Sequence, residues 1–140
     1  MHSVTINKER PDFRVFIDLL FGPDRNVDTD GDSYIVNSRT WTYLYISDRE
    51  SESPHIEIYS NKDNPDIFEV HSESNQLETV AALYLFLYCG SEIKNGKQSL
   101  SEIDVNKLKE QYVSNIERAK NAIWHSSSNE NPHPNLTKNL

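Results

Sequence analysis

Residues 40–47, TWTYLYIS, alternate with period two: Leu44 and Ile46 fall on one side of an extended chain, and Trp41, Tyr43 and Tyr45 on the other. A helix would scatter these side chains around its axis, so the stretch predicts a strand. The alternation recurs in 55–59, HIEIY, and in 66–71, DIFEVH, while 33–37, SYIVN, supplies a fourth strand. The linkers between the last three, DRESESP (48–54) and NKDNP (61–65), are short and rich in turn residues. Parallel neighbours need a long crossover, so linkers of this length predict an antiparallel meander.

Helical periodicity flanks the strands. In 12–21, DFRVFIDLLF, residues Phe13, Phe16, Ile17, Leu20 and Phe21 are spaced by three and four; Pro11 and Asp12 suit the first turn and Gly22-Pro23 the stop. A second helix is expected over 77–89, with Asn75 and Glu78 as a capping box and Gly90 as its end. A third is expected over 102–124, its stripe made of Val105, Leu108, Tyr112, Ile116, Ala119 and Ile123. The order predicts an α+β fold: an N-terminal helix, a four-stranded antiparallel meander, and two C-terminal helices packed on one face of the sheet. Residues 1–124 are expected to form a single domain. The remainder, 125–140 (HSSSNENPHPNLTKNL), has almost nothing to bury and is expected to be disordered.

Composition agrees with a globular chain. Its 140 residues are 36% hydrophobic and 26% charged, and a domain this long buries roughly two-thirds of its unfolded surface. The longest uncharged apolar run, residues 80–89, is ten residues, about half of what a bilayer span requires. The first ten residues, MHSVTINKER, lack the apolar stretch of a secretory signal. The single cysteine, Cys89, lies inside the apolar run, where it reads as a small buried hydrophobe, and one cysteine admits no intramolecular disulfide. A reducing, cytoplasmic setting is expected. Net charge is −8. Residues 1–92 carry 17 acids against 7 bases, a balance of −10, and residues 93–140 carry 5 against 7, a balance of +2. Such an acidic body repels phosphate backbones and attracts basic partners.

The strand phase sorts the two sheet faces. Leu44, Ile46, Ile56, Ile58, Phe68 and Val70 point towards the helices. The other face carries Trp41, Tyr43 and Tyr45, then His55, Glu57 and Tyr59, then Ile67, Glu69 and His71. All core positions are even-numbered, so paired residues have even sums. The most economical sum for the 55–59/66–71 hairpin is 126, which sets Glu57 opposite Glu69 and His55 opposite His71. Aromatics interleaved with unneutralised acids suit a basic protein partner, unless a helix covers this face and makes the rings ordinary core. The expected partner-binding set is Trp41, Tyr43, Tyr45, His55, Glu57, Tyr59, Glu69 and His71.

Other chemistry is thinly represented. Residues 26–37, NVDTDGDSYIVN, resemble a calcium-binding loop in their first half: Asp28, Asp30 and Asp32 fall at positions three, five and seven, and Gly31 at six. However, Asn37 stands where a bidentate Glu is needed, and a strand pattern follows instead of a helix. The stretch reads as an acidic turn, with its three aspartates as an electrostatic rim. His55, Glu57, Glu69 and His71 contain metal-ligating types, but two flat strands converge poorly on one ion. No metal or cofactor is expected. There is no glycine-rich phosphate loop, nucleophile elbow or HExxH, and the only glycines are at 22, 31, 90 and 96. No catalytic role is therefore assigned. The expected function is a stoichiometric inhibitor, an immunity protein neutralising a basic toxin or nuclease. The alternative is a small acidic chaperone or adaptor acting as a homodimer.

Overall fold

A computed structural model describes residues 1–22, 27–32, 38–49 and 54–121. In chain order the elements are β1 (His2–Ile6), α1 (Val15–Phe21), β2 (Val27–Gly31), β3 (Tyr43–Asp48), β4 (His55–Ser60), β5 (Ile67–Ser72), α2 (Asn75–Cys89), β6 (Gly90–Asn95), β7 (Gln98–Ser99), α3 (Glu102–Gln111) and α4 (Val113–Lys120). The α+β class with an antiparallel sheet is as expected; the strand count is not. Among the described residues the sheet has seven strands in the order β2-β3-β4-β5-β1-β6-β7, with every pairing antiparallel. The strand expected at 33–37, the last residues of the third expected helix and the tail 125–140 lie outside the described residues.

The meander β3-β4-β5 is extended on both sides. On one side β2, made of the stretch read as an acidic turn, pairs Asp30 with Tyr45 and Asp28 with Ser47. On the other, the N-terminal segment enters the middle of the sheet as β1, between β5 and β6. Its alternation is plain in the burial of His2, Val4 and Ile6. Asn95-Gly96 then turns β6 back into β7, with Gly96 at φ 65°, a conformation that costs a residue without Cβ nothing.

The even-numbered strand residues are buried under the helices. Val4, Leu44, Ile46, Ile56, Ile58, Phe68 and Val70 form one core with Phe16, Ile17 and Leu19 of α1 and Val80 to Leu85 of α2. Helix α2 lies on β1, β5 and β6, and α1 packs against α2 and α4. Burial of α2 nearly all round follows from its apolar circumference. Its N-cap is Ser74, whose Oγ accepts the N–H of Leu77 at 3.2 Å, one residue before the expected cap. Glu78 is thereby released from capping. Its Oε2 instead accepts the N–H of His2 at 3.1 Å and lies 2.5 Å from the ring Nδ1 of His2.

The expected third helix is two. A capping box of Ser101 and Asp104 starts α3, which ends at Tyr112, whose ψ of 26° redirects the chain. The redirected α4 brings Ile116 and Ala119 into the core, and Arg118 donates to the carbonyls of Asp18 and Leu19 at 3.0 Å each. Among the described residues no helix is long and apolar enough to cross a membrane.

Candidate binding surface

Odd-numbered residues of β3, β4 and β5 face away from the helices. Tyr43, Tyr45, His55, Glu57, Tyr59, Ile67, Glu69 and His71 are all half-buried, alternating with the fully buried even positions. Among the described residues the four helices gather on the even-numbered side, and none lies over these rings and carboxylates.

Trp41 does not belong to this surface. It was expected there from the phase of 40–47, but it is 1% exposed on the helix side. The ladder begins only at Tyr43. Asp32 accepts the N–H of Thr42 at 2.7 Å and of Tyr43 at 3.0 Å, which holds the chain out of strand geometry just before β3. Trp41 then turns inwards, where its Nε1 donates to the carbonyl of Pro11 at 2.9 Å. Its ring meets Phe16 and Phe68 edge-on, with centroids 6.3 and 5.9 Å apart.

The β4–β5 register also differs from expectation. The sum is 128: Ile58 pairs with Val70, Glu57 with His71 and Tyr59 with Glu69. The loop sets it. Asn61 donates its N–H to the carbonyl of Ile67 at 2.8 Å, while its side-chain oxygen accepts from Asp63 N at 2.8 Å and Asn64 N at 3.0 Å. An Asx-type turn therefore closes the hairpin one pair earlier than the most economical register. Both sums keep the faces intact, but only the observed one separates the two glutamates.

Two rows result. One reads Asp30, Tyr45, Glu57, His71 across β2 to β5, and the other Tyr43, Tyr59, Glu69, Ser3, Lys94 across β3, β4, β5, β1 and β6. His55 sits at the rim of the first row, stacked on Tyr45 with centroids 5.0 Å apart. Its Nε2 is 3.1 Å from Glu57 Oε1, and its Nδ1 pairs with Glu73. Both ring nitrogens are thus occupied. His71 has its Nδ1 4.0 Å from Glu78 Oε1. Glu69 accepts from Asn61 Nδ2 at 3.3 Å. Among the described residues neither Glu57 nor Glu69 is paired with a lysine or arginine. Burial, followed by the charges of Glu57 and Asp30, pushes Tyr43 up, and burial followed by Glu69 and Glu57 does the same to Tyr59.

The aspartate rim is unequal. Asp28 is tied to Arg49, whose hydrogen bond lowers its pKa. Burial opposes ionisation of Asp32, but the donors on Thr42 and Tyr43 outweigh it and hold the carboxyl below its ordinary value. Asp32 is thus a structural clasp. Among the described residues Asp30 carries only the N–H of Gly31 on its Oδ1, at 2.8 Å. Val27–Gly31 is extended strand and not a cation-wrapping loop; positions 26 and 33–37 of the calcium-like stretch lie outside the described residues. Among the described residues no three His, Cys, Asp or Glu side chains are grouped so that they could hold a metal ion.

No model of a known protein family, no curated protein and no solved structure matches this chain.

Proposed function

We propose that this chain is a non-catalytic, stoichiometric inhibitor, an immunity protein that neutralises a basic cytoplasmic toxin such as a nuclease by covering its substrate site. One observation carries the reading: a sheet face of tyrosines and half-buried carboxylates with, among the described residues, no helix over it and no lysine or arginine on Glu57 or Glu69. An enzyme acting on nucleic acid is basic around its site, and an acidic, aromatic plug is its complement. The expected contact set is Tyr43, Tyr45, Glu57, Tyr59, Glu69 and His71, with Asp30 as the free part of the rim. His55, held at both ring nitrogens, orients Tyr45 and Glu57 and is a support in this set.

The test is to identify a basic protein bound in the native host and measure its activity against added inhibitor. Equimolar suppression that is weakened by Tyr45→Ala supports the reading. Suppression unaffected by Tyr45→Ala and Glu57→Lys removes this face from the mechanism.

A second reading, the homodimeric chaperone or adaptor, is favoured by a groove of about 370 Å³ between α2 and α4, with Tyr84 and Ile116 among its lining residues. Its rim residues Leu87 and Val113 are 38% and 52% exposed, and apolar rims of this kind serve protein contacts. Light scattering that gives a concentration-independent monomer mass excludes the dimer.

A further inference from the structure

The proposed partner face contains a smaller arrangement with its own specificity. Tyr59 stands directly across from Glu69 and two residues along its own strand from Glu57, so one ring is flanked by two carboxylates on the same side of the sheet. Directly paired Cβ atoms in such ladders are about 5 Å apart and same-strand neighbours on one face about 6.7 Å. The Tyr43 ring completes the border, paired with Tyr59 on the other flank. The hydroxyl of Tyr59 has, among the described residues, only a distant contact to the Met1 sulfur, at 4.0 Å. Among the described residues no lysine or arginine neutralises the two acids, whose contacts include the His55 ring 3.1 Å from Glu57 and the Asn61 amide 3.3 Å from Glu69. After burial, their charge adds to the upward push on the neighbouring phenols.

We propose that Glu57, Tyr59 and Glu69 form a guanidinium site, which receives an arginine of the basic partner lying flat on the Tyr59 ring and donating to both carboxylates. The inference rests on the partner-face reading above and adds the chemistry of its anchor. Arginine fits where lysine does not. Its planar fork presents separated donors to two acceptors while its face stacks on an aromatic ring. A lysine ammonium is a compact, strongly hydrated charge that satisfies one carboxylate and gains less from the ring. A divalent cation is disfavoured because, among the described residues, no three His, Cys, Asp or Glu side chains are grouped to hold one. The charge complementarity extends outwards, since Asp30 lies in the row of Glu57 and Glu92 lies across from Thr5 on the same side of the sheet.

The experiment is an NMR titration of the full chain with three capped tripeptides, Gly-Arg-Gly, Gly-Lys-Gly and Gly-citrulline-Gly. Resonances of Glu57, Tyr59 and Glu69 are expected to move with the arginine peptide, with a Kd at least about threefold below that of the lysine peptide. The citrulline peptide, planar but uncharged, should leave them in place. The double variant Glu57→Gln/Glu69→Gln should abolish the response with the rest of the spectrum unchanged, and Tyr59→Leu should erase the preference for arginine over lysine. Equal response to arginine and lysine, a response centred elsewhere, or one that survives the double variant overturns the site. The two readings fail separately. If the peptides show no preference but Tyr45→Ala still weakens inhibition of the identified toxin, the anchor falls and the inhibitor stands. If the arginine preference is found but no basic protein is inhibited, the anchor stands and the inhibitor falls.

Discussion

Glu78 Oε2 lies 2.5 Å from His2 Nδ1 and accepts the His2 N–H at 3.1 Å, with both side chains almost wholly buried. This bond joins the first turn of α2 to β1 in the middle of the sheet. Oε1 of the same carboxylate accepts the N–H of Ser72 at the end of β5, at 3.4 Å. One side chain therefore gathers a helix and two neighbouring strands. Glu78→Ala leaves buried donors without an acceptor and should cost about 3–5 kcal/mol. Glu78→Gln, which keeps an acceptor oxygen, should cost less. Urea unfolding should show the midpoint falling at constant m. A loss under about 1 kcal/mol for the alanine variant would show that water replaces the carboxylate and that β1 is held by packing alone.

Trp41→Ala is expected to act on stability, through the core cavity it opens, by about 3–5 kcal/mol. Trp41→Phe should cost less, losing the Nε1 hydrogen bond to Pro11 but keeping most of the edge-on contacts. At concentrations where the folded fraction is held equal, neither variant should change partner dissociation. A faster dissociation at equal foldedness would return Trp41 to the binding face.

How far the sequence foretells this architecture depends on how many apolar residues each element commits. The meander was legible because β3, β4 and β5 each bury two aliphatic or aromatic residues in strict alternation. The added strands do not: β6 buries Ile93 alone, β7 buries nothing, and one of the three inward residues of β1 is a histidine. Asn95-Gly96 was the available signal for the last hairpin, being a dipeptide suited to tight turns. The break at Tyr112 carries no Gly or Pro, and the stripe from Val105 to Ala119 keeps its spacing through it, so period alone reads one helix. The phase places seven of the eight expected residues on the half-buried outer face, and Trp41 escapes it because a side chain nine residues away, Asp32, ends the ladder early. Phase is local; where a ladder stops is not.

Cys89 should be inert in the folded protein. Burial pushes its thiol up to about 11, against smaller opposing effects of Arg10 and Lys8, and its Sγ donates to the carbonyl of Leu85 at 3.4 Å. Alkylation by a neutral-pH thiol reagent should therefore track global unfolding with added urea. The same shift gives a sign for alkaline pH. The folded value lies above the ordinary one, so the stability it represents is intact below about pH 9 and is lost as pH rises towards 11. Tyr84, pushed up to about 12 mainly by burial, continues the loss above pH 10. Rapid labelling of native protein at neutral pH would refute the assignment.

Gly31 closes β2 against β3 at φ 151°, and a Cβ placed there would stand 2.4 Å from the carbonyl oxygen of Tyr43. Gly31→Ala must therefore move backbone and should cost about 1–3 kcal/mol, concentrated at the sheet edge. Hydrogen exchange is expected to accelerate at the amides of β2 while those of β1 and β5 keep their protection. Uniform acceleration across the sheet would mean that β2 is cooperative with the core.

Kinetics of binding to the identified partner should separate the aromatic centre from the acidic edge. Tyr45 lies mid-face, stacked on His55 and paired with Glu57 and Asp30, so its ring acts once the surfaces have closed. Tyr45→Ala should raise the dissociation rate about tenfold or more with little effect on association. Asp30 has no cation beside it among the described residues and stands on the edge strand, where its charge acts at a distance. Asp30→Asn should lower the association rate, and added salt should shrink the difference. Asp28 gives the internal contrast. Its charge is already answered by Arg49, so Asp28→Asn bares an arginine and should slow association of a basic partner through repulsion. Arg49→Gln should speed association for the same reason. If Tyr45→Ala acts only on association, or if the Arg49 variant slows it, the field around β2 does not steer the partner and the acidic edge serves only solubility.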